Sequence, residues 1–164
     1  MAATLATLVP GAVEGVVRDV VLIDRGMTSA SRKVADHAGC RVVSADDLRA
    51  AVEAARGEWL LLLEPGARLQ PGWIAAVVEH ADAVAGGLAR NPAARFLRSR
   101  ADRPAFFSRL RQVRRALSEG FIMPKQQAAG RARTVSSLEA LAKGLAVMAL
   151  PADIRPAPRS RVRV

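Results

Sequence analysis

Apolar and polar positions in the first half of the chain follow two periods. Four short, nearly continuous apolar runs read as strands: Arg18–Ile23 (RDVVLI), Cys40–Val43, Glu58–Leu63 and Ala83–Leu88. Helical spacing fills the gaps. Ala2–Leu8 is a short helix ended by Pro10-Gly11. Thr28–Ala38 can be capped by Thr28 or Ser29 and is stopped by Gly39. Asp46–Ala55 is capped by Asp46 and followed by Gly57, and Pro71–Ala81 carries proline in its first turn, where a missing N–H costs no bond. This rhythm predicts a single α/β domain over residues 1–154, with a mostly parallel, Rossmann-like sheet flanked by helices. Ligands of such sheets bind at the carboxyl ends of the strands, which places Asp24 and Glu64 on the functional rim.

The second half is less regular. Asn91–Arg103 is arginine-rich and reads as loop or weak helix. Pro104–Leu117 reads as an amphipathic helix with Phe106, Phe107, Leu110, Val113 and Leu117 on one side. Gly120–Met123 is a short strand, Gly130–Arg133 a basic turn, Ser136–Ala142 a helix and Leu145–Leu150 a last strand. The Pro/Arg-rich end, residues 155–164, has the composition of a disordered tail.

Charge sharpens the division between the halves. Residues 1–88 hold 8 Lys/Arg against 11 Asp/Glu, whereas residues 89–164 hold 17 against 4. The second half therefore faces an anionic partner or is a solvated basic surface. A nucleic acid is disfavoured, because the basic segment has no recognised nucleic-acid motif and scarcely any interleaved aromatics. Apolar runs such as Trp59–Leu63 and Leu145–Leu150 fall far short of the roughly 20 residues that span a bilayer. The N-terminus lacks the basic start of a signal peptide. The single cysteine, Cys40, excludes an intramolecular disulfide and reads as a small core residue. His37 and His80 have no neighbours in sequence at metal-ligand spacing and read as ordinary helix-end residues.

Four stretches resemble the family 2 glycosyltransferases, whose GT-A fold binds nucleotide-sugars: VVLIDRGMTSASRKVADHAGCRVV, ARGEWLLLLEPGARLQPGW, VAGGLARNP and EGFIMPKQQAAG. The second resembles the family's Leu-Leu-Phe-Leu-Asp-x-Asp-x-x-Leu-x-Pro-Gly-Trp and is the most specific. The resemblance spans roughly Ala2 to Ile154. It implies a GT-A-like domain, a nucleotide-sugar donor, and a polyprenyl-phosphate-linked or other anionic acceptor in cell-envelope chemistry. It implies a cytoplasmic protein, peripheral at the inner face of the cell membrane. There Phe106 and Phe107 beside Arg109, Arg111, Arg114 and Arg115 either touch lipid or form a plain core helix.

Family members hold a divalent cation, Mn²⁺ or Mg²⁺, near the Asp-x-Asp acids to neutralise the leaving diphosphate. Here that motif is Glu64-Pro65-Gly66, so the usual second acid is a glycine and metal binding is weakened. Asp24 is implied as a nucleoside contact, or else as a turn aspartate capping the next helix. Glu64 is implied to bind a metal or ribose, Arg68 to pair a phosphate or else stand solvated before the helix, and Lys125 to contribute to substrate binding from the acceptor-side segment. Glu139 is the one nearby candidate for the base that deprotonates the acceptor, or else a solvent-facing residue. With the carboxylates altered, two readings stand: a divergent transferase, or a non-catalytic binding or scaffold protein on the same frame. Family members also open with a strand before their first helix, whereas Met1 already lies in that helix here, so either the true start lies upstream or the strand is lost. A sheet without that strand must re-pair its neighbours or recruit one from another chain, and a homo-oligomer is one way to do so.

Overall fold

A computed structural model describes residues 1–99 and 116–158. The first elements are helix α1 (Ala2–Val13), strand β1 (Val21–Asp24), helix α2 (Ser29–His37) and strand β2 (Arg41–Ser44). β1 and β2 pair in parallel across α2, as the spacing predicts. Thr28 caps α2 by accepting the Ser31 N–H, and Gly39 follows the helix with φ +66°. α1 does not stop at Pro10-Gly11. Pro10 has no N–H to donate, but its carbonyl still accepts from Glu14 N–H at 2.9 Å. Packing holds the last turn. Gly11 lies so close to Trp73 that a Cβ there would stand 2.6 Å from Cη2.

The chain continues through a 3₁₀ turn (Ala45–Asp47) into α3 (Leu48–Glu53), then β3 (Trp59–Leu62), β4 (Arg68–Leu69) and α4 (Trp73–Ala85). The cap before α3 is Ser44, which accepts the Asp46 N–H, and not Asp46 itself. The strand expected at Ala83–Leu88 is absent. α4 runs through Ala85 and ends at Gly86-Gly87, leaving Leu88 83% exposed. The alanines there favour helix, and only the glycine pair ends it. The next strand, β5 (Ala94–Arg98), lies in the segment read as loop or weak helix. Ala94 and Phe96 are buried on alternate positions, while the charge of Arg95 and Arg98 is met by the buried carboxylate of Glu119.

After a 3₁₀ turn (Ala116–Glu119) come β6 (Phe121–Pro124), α5 (Lys125–Arg131), α6 (Leu138–Ala142) and β7 (Met148–Arg155). The basic turn expected at Gly130–Arg133 overlaps the end of α5. Residues 104–115 of the expected Phe/Arg helix lie outside the described residues, and Leu117 at its end is in the core. Of the expected tail, Ala157 and Pro158 pack against Gly66, and residues 159–164 lie outside the described residues.

The sheet is not mostly parallel. Five strands run in the order β3-β6-β5-β7-β4, separate from the β1-β2 pair. β6 is antiparallel to both β3 and β5, β4 is antiparallel to β7, and only β5–β7 is parallel. Along β5–β7, Arg95 pairs Ala149 but Leu97 pairs Asp153, so β7 bulges around Pro151, which has no N–H for the ladder. The described residues therefore form a mixed α/β domain.

Both faces of the larger sheet are covered. Phe121 and Met123 of β6 enter one core cluster with Leu48, Val52 and Leu141; Ile122 enters another with Trp73 and Phe96. Likewise Leu60 and Leu62 of β3 point to the first cluster, and Trp59 and Leu61 to the second. Two buried faces explain why Trp59–Leu63 is continuously apolar. Among the described residues no helix is long and apolar enough to cross a membrane.

Candidate functional site

β1 and β3 each have a neighbour on one side only, and both line one ≈ 220 Å³ cavity. Ladder geometry fixes which backbone groups face it. Arg41 N–H donates to Val20 O, and Val21 is in register with Arg41. In a parallel pair this turns the N–H and C=O of Val21 and Ile23 away from β2, toward the cavity. Lys125 N–H donates to Glu58 O, with Trp59 opposite Pro124. Residues 58, 60 and 62 therefore bond β6, and Trp59 and Leu61 turn their peptide groups to the cavity.

Helices close the other two walls. Leu5 and Leu8 of α1 line it on one face, and Leu48, Ala51 and Val52 of α3 on the other. The cavity is not sealed: every residue of β1, and Trp59, Leu60 and Leu61 of β3, is only half-buried.

The starting ends of the two strands are tied together. Asp19 accepts from Arg56 N–H at 3.4 Å and from Arg41 at 3.2 Å, and Arg41 also reaches Ala54 O. Lys125 belongs to this end. Its Nζ donates to Ala55 O at 2.6 Å. It therefore lies beside Glu58, at the opposite end of β3 from Glu64, roughly 20 Å away for six extended residues. The structure does not bring these two sequence-predicted residues together.

The other end is the rim. Asp24 Oδ1 accepts from Gly26 N–H (2.9 Å) and Met27 N–H (2.7 Å), and Oδ2 pairs with Arg32. The Met27 and Gly26 amides, with Arg32 adding to them, hold the Asp24 carboxyl below its ordinary value against a desolvation that raises it. Its two oxygens thus organise the turn ahead of α2. Glu139 is held by Arg25 in a bidentate pair at 3.0 and 3.1 Å, with both side chains about half exposed. Arg25, which the sequence did not single out, therefore links the Asp24 turn to α6. Leu138 and Pro65 line the cavity beside it.

Glu64 begins the loop between β3 and β4: its N–H donates to Leu117 O and its carbonyl accepts from Ala67 N–H. Gly66 has φ +104° and donates to Thr4 Oγ1 at 2.7 Å. A Cβ at Gly66 would meet Pro158 Cδ at 3.2 Å and Ala157 Cβ at 3.3 Å. The space of a second metal-binding acid is thus already occupied, and the residues present do not fit a divalent cation. Among the described residues no group of three or more His, Cys, Asp or Glu side chains is placed to hold a metal ion. Arg68 is in β4, at the sheet edge opposite β3.

The remaining polar candidates are structural in their contacts. His80 is buried, has its Nε2 3.1 Å from Pro92 O, and meets Trp59 edge-on at 5.8 Å. His37 Nδ1 lies 2.7 Å from Lys33 O. Burial pushes the Cys40 thiol up, which disfavours the reactive thiolate.

The sequence left open what becomes of a sheet without its first strand; in the structure β1 and β3 are not paired with each other and face one another across the cavity. Its walls were read correctly as apolar strands and helices, but an apolar run shows that a strand is covered without showing by what. Compared with known proteins, the chain matches no protein-family model and no curated protein.

Proposed function

We propose that this chain is a non-catalytic binding domain on a frame resembling the family 2 glycosyltransferases, and that its binding element is the cavity between β1 and β3. The supporting observation is the state of the rim. Asp24 is engaged by two amides and Arg32, Glu139 is clamped by Arg25, and Gly66 faces Ala157 and Pro158. A sugar transfer from a nucleoside diphosphate needs charge neutralisation at the diphosphate and a base at the acceptor. Asp24, Glu139 and the Gly66 position, which the resemblance places at the donor and acceptor sites, each have a structural employment instead. Most side chains lining the cavity are apolar, which suits a ligand without charge.

The test is calorimetric titration with uridine- and guanosine-diphosphate sugars, with and without Mn²⁺ or Mg²⁺. A parallel assay measures nucleoside diphosphate release in the presence of a polyprenyl phosphate. Weak, metal-indifferent binding and no release are expected. Metal-dependent release would overturn the binding reading and favour a transferase.

A further inference from the structure

The slot between β1 and β3 has two kinds of wall, and together they select an occupant. Its edges are backbone: Val21 and Ile23 on one side, Trp59 and Leu61 on the other, each turning a donor and an acceptor inward. Its faces are apolar side chains, Leu5 and Leu8 on one and Leu48 and Val52 on the other. Water entering the half-open slot can serve the peptide groups but not the apolar faces. An apolar small molecule does the reverse. An extended peptide does both, because its own N–H and C=O groups point sideways while its side chains alternate between the two faces.

Charge narrows the choice further. The charged side chains on the wall, Arg18 and Asp19, stand at the starting end, where Asp19 is already bound to Arg41 and to the Arg56 amide. Between the ends the lining is neutral. A charged side chain in the occupant would be desolvated there without a partner.

We propose that this slot is a docking site for an uncharged, apolar, extended segment of a partner polypeptide, about four to six residues long, which adds a strand between the two sheets. The proposal rests on the binding reading above and names its ligand class. β1 and β3, at four residues each, set the length.

The probe is the capped hexapeptide acetyl-Thr-Val-Val-Ile-Val-Thr-amide, added to the full chain. Binding is followed by tryptophan fluorescence, since Trp59 lines the slot, and by residue-resolved amide exchange. Saturable one-to-one binding is expected, with exchange at Val21, Ile23, Trp59 and Leu61 slowed at least tenfold. The same peptide N-methylated at alternate residues, which keeps its apolar surface but loses donors, should bind at least tenfold more weakly. So should a peptide whose central valine is replaced by lysine.

Equal binding of the N-methylated peptide would make the slot a mere apolar pocket and overturn the proposal. So would absence of binding at millimolar peptide. A dimer whose four amides are protected before peptide is added would assign the slot to a second copy of this chain, and would equally refute it. None of these results depends on the sugar-nucleotide assay. The docking idea can fail while the non-catalytic reading stands, and metal-dependent transfer would end that reading whatever the peptide does.

Discussion

Replacing Gly66 with aspartate would restore the second acid of the Asp-x-Asp pattern, and the structure predicts that the restoration fails. Gly66 has φ +104°, a conformation that costs a residue with a side chain about 1–3 kcal/mol. Its Cβ would stand 3.2 and 3.3 Å from Pro158 and Ala157, so the neighbouring chain must give, at a cost of about 1–3 kcal/mol. Partial relaxation of each leaves a combined loss of about 2–4 kcal/mol, a large share of the roughly 5–15 kcal/mol that holds a domain folded. With a urea slope of about 2 kcal/mol per molar, the unfolding midpoint should fall by about 1–2 M. Gly66→Ala shares the strain without the charge and should fall almost as far. Both are measured by urea titration in the presence and absence of Mn²⁺. A metal bound at a hundred times its Kd would return about 2.7 kcal/mol to the folded state. The expected result is no return. Wild-type stability in Gly66→Asp, or a midpoint that rises with Mn²⁺ in Gly66→Asp but not in Gly66→Ala, would refute the claim that this position has no room for a ligating acid.

Glu119→Ala removes the buried carboxylate that Arg95 and Arg98 share; both arginines keep some access to solvent, so the loss should be about 1–3 kcal/mol in the same titration. Wild-type stability would show that solvent or another acid serves both arginines. Asp24 is held below its ordinary value in the fold, so its contribution is fully present above about pH 4 and is lost as pH falls through the lowered value. Asp24→Asn should therefore be less stable at pH 7 and show a flatter acid limb; an unchanged limb would mean that Asp24 is not tied to its turn in solution. The basic half, with 17 Lys/Arg against 4 Asp/Glu, should bind anionic liposomes at low salt and release them steeply as salt rises. Absence of sedimentation with liposomes at low salt would leave that half as a plain solvated surface.

The β1–α2–β2 unit was legible because every signal in it is local: an apolar run, Thr28 to cap, Gly39 to stop. The same holds for EWLLLL and for the helix after Pro71-Gly72. Failures came where the deciding partner is remote. The exception is Ala83–Leu88, an apolar run that reads as a strand, where the helix preference of its own alanines carries α4 on to Gly86. Arg95 and Arg98 made β5 look like loop, because Glu119, which neutralises them, stands more than twenty residues away. Strand direction was misread for a related reason. Alternating strands and helices suggest parallel neighbours, but β3 and β5 both take β6, reached only after a long excursion, and it runs opposite to each. At the rim, Asp24 was placed correctly at a strand end, but whether it is available depended on Arg32 and two amides of its own turn. Glu139 could not be weighed without Arg25, 114 residues away.

The facing edges of β1 and β3 carry little protection of their own. Exposed sheet edges are ordinarily blunted by an inward charge, a proline or a bulge, since bare β-prone edges pair with other chains and aggregate. β3 contains none of these, and the one charge in β1, Asp24 at its end, is turned onto its own turn. Their protection is instead architectural. The edges face each other across a cavity, and α1 and α3 cover its two faces. Such an enclosure excludes a broad foreign sheet while leaving the inward peptide groups of Val21, Ile23, Trp59 and Leu61 free to pair with a single strand. The same walls that leave these edges unpaired thus restrict what can pair with them, so selectivity at this slot arises from enclosure together with a neutral lining. A charge introduced at Val21 or Leu61 would supply the missing protection and remove the selectivity in one step.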